Sequence, residues 1–195
     1  MDLLALYGSP RVKGNSELLL DVVVQSAAKL GVKTETIYLR KLSFSGCVAC
    51  GGCEKTGVCV IKDDMTKIYP LLQSTRIIVV AFPIFFYGPP AITKAFMDRA
   101  QAFWNGRALR KPPTEWKNHE NGIGYVISVG ATKGENLFTG SELITRYFYD
   151  ALDKDYGGGM FFRNLDAKGA ILNHKEYLSD MEQWANNILK CKPAT

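Results

Sequence analysis

The run Arg-Ile-Ile-Val-Val-Ala-Phe at residues 76–82 constrains this chain more than any other segment. A continuous β-branched stretch of this kind suits a strand buried on both faces, which requires helices above and below a parallel sheet. The rest of the chain alternates accordingly. Further strands are predicted at 3–7, 33–39, 123–129 and near 160–163. Between them lie helical patterns from Asn15-Ser16 to Leu30, from the Asp63-Asp64 cap to about Ser74, and from Pro90 to about Trp104. Two more cover roughly 141–152 and 174–189. This alternation predicts an α/β three-layer sandwich with a five-stranded parallel sheet in the order 2-1-3-4-5.

A length of 195 residues fits one domain spanning 1–195, and 47% apolar with 22% charged residues is ordinary for a globular chain. The longest apolar run, 77–87, is interrupted by Pro83 and is too short to span a bilayer. No signal-peptide pattern opens the chain, so a cytoplasmic protein without a membrane partner is expected. The net charge of +5 is spread along the sequence, which argues against nucleic acid and suits small anionic ligands. The polar, Pro-bearing stretch 104–122 reads as a long loop: a surface excursion, or a lid or subunit contact.

The turn after the first strand, Gly8-Ser9-Pro10-Arg11-Val12-Lys13-Gly14-Asn15-Ser16, matches neither a dinucleotide fingerprint nor a P-loop. Its hydroxyls on Ser9 and Ser16, the Arg11 guanidinium and the free amides of a helix start can converge on one small dianion, with Gly14 permitting close approach. The plainer alternative is a helix cap by Asn15 and Ser16. In the order 2-1-3-4-5 the strand direction of growth reverses between strands 1 and 3, where ligands settle in such sheets. Strand 3 ends in Pro83-Ile84-Phe85-Phe86-Tyr87-Gly88, so a phosphate cradle and an aromatic wall face one crevice, unless Phe85 and Phe86 are core. A phosphate-accepting receiver domain is excluded, because the strand ends carry Tyr7-Gly8-Ser9 and Phe82-Pro83 instead of acids.

Four of the five cysteines fall in the glycine-rich loop 46–62, with the spacing Cys47-x2-Cys50-x2-Cys53-x5-Cys59. Three thiolates two residues apart can grip adjacent corners of an iron–sulfur cube, which a fourth closes. Structural zinc prefers two separated pairs, so the compact triple suits a 4Fe–4S cluster; zinc and free thiols are the alternatives. Lys55 and Lys62 can offset part of the thiolate charge. Cys191 stands apart as a bystander.

These stretches, with Lys94-Ala-Phe-Met-Asp98-Arg99 and Val129-Gly130-Ala131-Thr132-Lys133-Gly134, resemble the NADPH-dependent FMN reductase family of flavodoxin-like proteins. More narrowly they resemble its iron–sulfur flavoprotein branch. The resemblance implies that Ser9, Arg11, Asn15 and Ser16 hold the FMN phosphate, that residues 83–88 lie along the isoalloxazine ring, and that Gly130, Ala131, Thr132 and Lys133 close its other edge. It also implies a homodimer or homotetramer with flavin near a subunit boundary.

The expected function is an oxidoreductase that passes electrons between a donor such as NAD(P)H or ferredoxin and an acceptor, through FMN and a 4Fe–4S cluster. The flavin carries the chemistry, so no side chain is assigned as catalytic. Backbone amides or Lys133 can stabilise charge on the reduced ring, and Asp98 with Arg99 is read as a structural or subunit ion pair. A flavin-only NAD(P)H-dependent FMN or quinone reductase with structural or zinc-binding cysteines is one alternative. A non-enzymatic redox carrier or sensor is another.

Overall fold

The run at 76–82 forms the third of five parallel strands in the computed structural model, which describes residues 1–190. Cys191 lies outside the described residues. The strands are β1 (Leu3–Tyr7), β2 (Thr34–Tyr38), β3 (Ile77–Pro83), β4 (Ile123–Val129) and β5 (Asp155–Phe162), ordered β2-β1-β3-β4-β5. Strand β1 lies between β2 and β3, with Leu3 opposite both Thr34 and Ile77.

Side-chain alternation divides the core into two layers. Leu3, Ala5 and Tyr7 of β1, with Ile77, Val79 and Ala81 of β3, pack under α1 (Asn15–Lys29) and α6 (Lys175–Lys190). Leu4, Leu6, Ile78, Val80 and Phe82 face the opposite side, against α2 (Met65–Ser74), α3 (Ala91–Asp98) and α5 (Thr139–Ala151). The three-layer sandwich is therefore as expected.

Three boundaries differ from expectation. The helix after Pro90 breaks at Arg99-Ala100 and resumes as α4 (Gln101–Arg110). At the break Arg99 turns into the protein, where it is 1% exposed. The segment expected as a loop over 104–122 is helical to Arg110 and carries a short turn at Pro113–Glu115. Its tryptophans meet edge to face, Trp104 on Trp116 at 4.8 Å, with the Arg107 guanidinium against both rings. Arg107 in turn pairs with Asp150 at 2.9 Å. Asn121 is hydrogen-bonded to Asp153 and Asp155 to Gly122, so the segment closes the amino ends of β4 and β5. It is not a lid over the carboxyl ends of the strands. Finally, β5 is longer than 160–163, starting at Asp155 and running through Gly157, where the Tyr125 ring occupies the space a side chain would need.

Candidate functional site

At the carboxyl end of β1 the chain turns through Gly8 with no room for a side chain: a Cβ there would lie 2.5 Å from Thr93 Oγ1, which donates to the Gly8 carbonyl. Ser9 is buried, and its Oγ accepts the Arg11 amide at 3.1 Å, which curls the loop toward the start of α1. Gly14 is the N-terminal cap residue of α1, and no side chain caps the helix. The plain helix-cap reading of Asn15 and Ser16 is thereby overturned. The first-turn amides have no carbonyl ahead of them in the helix, and the dipole leaves this end positive. Glu17 in the same turn is neutralised by Arg40, 2.8 Å away and itself within 3.5 Å of the Ser9 carbonyl. Neither Glu17 nor Arg40 was singled out by motif, since their pairing joins separate segments.

Ser9, Arg11, Gly14, Asn15 and Ser16 line one cavity of about 100 Å³ together with Pro83, Ile84, Phe85, Val129 and Ala131. The two loops that flank the reversal in strand order thus meet. Leu165 and Asp166, just beyond β5, complete the wall; the sequence offers no motif for them. The Asn15 amide does not face outward. Its Nδ2 donates to the carbonyls of Leu165 and Ala167 at 3.2 and 3.0 Å, and its Oδ1 accepts the Ile171 amide. Asn15 therefore positions the wall with its side chain and offers the cavity only its backbone.

Residues Phe86, Tyr87, Gly88, Gly130, Thr132 and Lys133 do not line this cavity. Phe85 and Gly88 exchange two backbone hydrogen bonds, and the intervening Phe86 and Tyr87 have φ of 50° and 63°. This is a tight turn of the type that normally requires Asn or Gly at both positions. Phe86 is completely exposed and Phe85 half exposed, so neither is core. Gly130 is buried, giving its amide to the Phe162 carbonyl, whereas Thr132 and Lys133 are exposed on the loop beyond it. Arg163 donates to the carbonyls of Gly134 and Glu135 and so holds that loop against the end of β5.

The cysteine loop leaves the short turn after β2. All four of Cys47, Cys50, Cys53 and Cys59 line one cavity of about 320 Å³, closed by Arg99, Gln101, Ala102 and Asn105 from the start of α4. Asn105 Nδ2 donates to Cys53 Sγ at 3.1 Å. Burial pushes the Cys59 thiol up, but the Ile61 amide, the Tyr69 hydroxyl and the Arg99 guanidinium outweigh it and hold the thiol below its ordinary value. Among the described residues no three His, Cys, Asp or Glu side chains are drawn together on a single ion position. Asp98 and Arg99 do not form a pair. Asp98 binds Lys94 at 2.6 Å on the surface, and Arg99 binds Asp63.

A five-stranded doubly wound sheet with a cavity at its switch point is the architecture of the flavodoxin-like α/β proteins. A family-wide sequence profile described as NADPH-dependent FMN reductase matches residues 1–137. The chain belongs to that family, and with it to the flavin-dependent oxidoreductases. Among relatives, it is 30% identical over 148 residues to an iron-sulfur flavoprotein of Methanocaldococcus jannaschii, covering 76% of this chain and 72% of that one. An iron-sulfur flavoprotein of Methanosarcina thermophila is 32% identical over 133 residues, 68% of this chain and 65% of the relative. Among solved structures, an NAD(P)H:quinone oxidoreductase from Methanothermobacter marburgensis superposes with a TM-score of 0.75 at 14% identity, covering 100% of this chain and 99% of that one. The Trp repressor binding protein of Bacillus subtilis gives 0.63 at 23%, covering 93% and 98%. At such identities the structures speak for the fold alone. Among the described residues no helix is long and apolar enough to cross a membrane.

Proposed function

We propose that this chain binds FMN in the crevice between the β1–α1 and β3–α3 loops and passes electrons between a donor such as NAD(P)H or ferredoxin and an acceptor. One observation carries the reading: Ser9, Arg11, Gly14, Asn15 and Ser16 at the start of α1 line the same cavity as the Pro83–Ile84–Phe85 wall. A flavin mononucleotide presents those two demands at opposite ends, a dianionic phosphate and a flat ring. The bare backbone at Gly14 fits the phosphate, since a Cβ there would stand 3.4 Å from both Ser9 Oγ and the Arg11 carbonyl. Bound flavin supplies the redox chemistry. The Ser9 and Ser16 hydroxyls, the α1 amides and Arg11 bind and orient the phosphate. The aromatic turn at 85–87 lies along the ring and excludes water from one face, and the loop from Gly130 to Lys133 closes the other edge.

The cysteine loop is assigned a 4Fe–4S cluster, with Cys47, Cys50, Cys53 and Cys59 each holding one corner. A cube is gripped at separate corners, so its four thiolates need a shared cavity and not a common point. The cavity they line, and the names of the relatives above, support this. Arg99, fixed beside Cys59, offsets thiolate charge. The fully exposed Phe86 beside the crevice supports a subunit boundary there, in a homodimer or homotetramer of a cytoplasmic protein.

The test is purification without oxygen, followed by flavin and iron analysis. A yellow-brown protein with about four irons per chain is expected. Flavin without iron removes the cluster and leaves a flavin-only reductase; a colourless protein that takes up no FMN overturns the whole reading. Arg11→Ala should weaken FMN binding by about 1.5–3 kcal/mol, the scale of a hydrogen bond to a charged group.

A further inference from the structure

A second cleft, of about 370 Å³, shares Cys59 and Ala102 with the cysteine cavity and opens between α2, α4 and the end of the cysteine loop. Its floor is bare backbone. A Cβ on Gly57 would stand 2.5 Å from the Gly106 Cα, so the loop and α4 touch main chain to main chain. One wall is aromatic, Tyr69 meeting Phe103 edge to face at 5.4 Å.

The charges lining the cleft are one-sided. Lys62 and Arg110 line the cleft, and no Asp or Glu does. Neither cation has a hydrogen-bond or ion-pair partner among the described residues. That sets them apart from the other cations on and beside α4. Arg99 is bound to Asp63, Arg107 to Asp150, and Lys111 to both Glu120 and Asp153. The Arg110 guanidinium lies close above Gly106, 3.2 Å from where a Cβ would be, and a larger residue there would displace it. An aromatic wall favours a flat ring, and two unpaired cations favour a negative group on that ring. The volume falls within the range of about 300–1,000 Å³ seen for small-molecule pockets.

We propose that this cleft binds a small planar organic anion, one or two fused rings carrying a carboxylate or sulfonate. The ring packs on Tyr69 and Phe103, and the anionic group lies between Lys62 and Arg110. A molecule seated there rests against the Cys59 side of the cysteine cavity, apart from the residues assigned to flavin.

Calorimetric titration of the full-length, FMN-saturated protein with naphthalene-2-sulfonate tests this, with flavin absorbance followed in the same samples. Saturable binding is expected, with flavin retained. Lys62→Gln and Arg110→Gln should each weaken it about tenfold, the loss of one charge-assisted contact. Naphthalen-2-ol, lacking the charge, and sulfate, lacking the ring, should each bind at least about tenfold more weakly. Both cations are exposed, so the variants should keep the wild-type unfolding midpoint. No saturable binding, binding undiminished in the double variant, equal binding of sulfate, or displacement of FMN by the probe would each overturn the proposal. Because flavin occupancy is read separately, failure of this site is distinguishable from failure of the flavin reading.

Discussion

Arg99 and Asp63 face each other through two contacts, Nη1 to Oδ2 at 2.6 Å and Nη2 to Oδ1 at 3.2 Å, and so close the base of the cysteine loop. The same guanidinium donates to the carbonyls of Ser45 and Ile61, one before Cys47 and one after Cys59, and to the Tyr69 hydroxyl. One buried side chain thereby sets the width of the loop mouth.

Arg99→Ala strips a half-buried carboxylate of its cation and two carbonyls of their donor, so it should cost about 3 kcal/mol in urea unfolding and open residues 46–58 to proteolysis. Burial pushes the Asp63 carboxyl up, but Arg99 and the Ser45 and Met65 amides outweigh it and hold it below the usual carboxylate range. The folded value lies below the unfolded value of about 3.9, so the stabilisation is complete above that pH and lost as pH falls through the folded value. The stability gap between wild type and Asp63→Asn should therefore persist from neutral pH down to about 4 and close only in more acid solution. A gap that narrows by pH 6 would contradict this assignment.

The turn at Phe86-Tyr87 holds two non-glycine residues at positive φ, and Phe86 makes no packing contact that would repay the conformation. Phe86→Asn places a residue that tolerates this region and should raise stability by about 0.5–1 kcal/mol. If the exposed ring faces flavin, FMN affinity should fall in the same variant. Loss of stability on this substitution would show that Phe86 is held by contacts other than its own turn.

How far the sequence reaches is clear from where it stops. The Ile/Val run of β3 and the short apolar β1 revealed the parallel sheet, because a strand buried on both faces admits little else. The cysteine spacing and the Ser9–Ser16 loop were legible because their chemistry is local. Strand β5 was understated, since Gly157 and Gly159 carry no strand signal of their own; neighbouring Tyr125 and the Val126 backbone occupy the space their side chains would need. The break between α3 and α4 has no Gly or Pro to mark it and depends on Arg99 reaching segments remote in sequence. Leu165 and Asp166 enter the cavity wall through contacts remote in sequence, the Leu165 carbonyl accepting from Asn15 across 150 positions and its amide donating to the Gly130 carbonyl.

Asn15 separates positioning from binding. Its side-chain amide makes three hydrogen bonds, all of them to the 165–171 segment. Asn15→Ala should cost about 2–4 kcal/mol of stability, at roughly one kcal/mol for each buried bond, and weaken FMN as the wall loosens. Ser16→Ala should leave the unfolding midpoint near wild type and weaken FMN alone. Thermal unfolding of the apoprotein beside flavin titration distinguishes the two; equal stability losses would mean that Ser16 also holds the fold.

At the opposite end of the sheet, Lys154 is fully buried, its Nζ donating to the carbonyls of Thr75 at 2.8 Å, Gln73 at 3.5 Å and Asn121. Burial pulls this ammonium down to about 8, opposed in part by Asp153. Between that value and about 10.4 the unfolded lysine holds a proton that the folded one has released, so unfolding takes up a proton and stability rises with pH. The slope should approach 1.4 kcal/mol per pH unit at its steepest, about 2.303RT for one proton. Burial holds the Tyr7, Tyr69, Tyr149 and Tyr156 hydroxyls well above their ordinary value, so unfolding releases tyrosine protons toward the top of this range; the informative quantity is therefore the difference from Lys154→Met, in which their contribution cancels. Urea unfolding of both proteins from about pH 7.5 to 9.5 should show wild type gaining on the variant. A constant difference would mean that the three carbonyls hold the ammonium charged throughout.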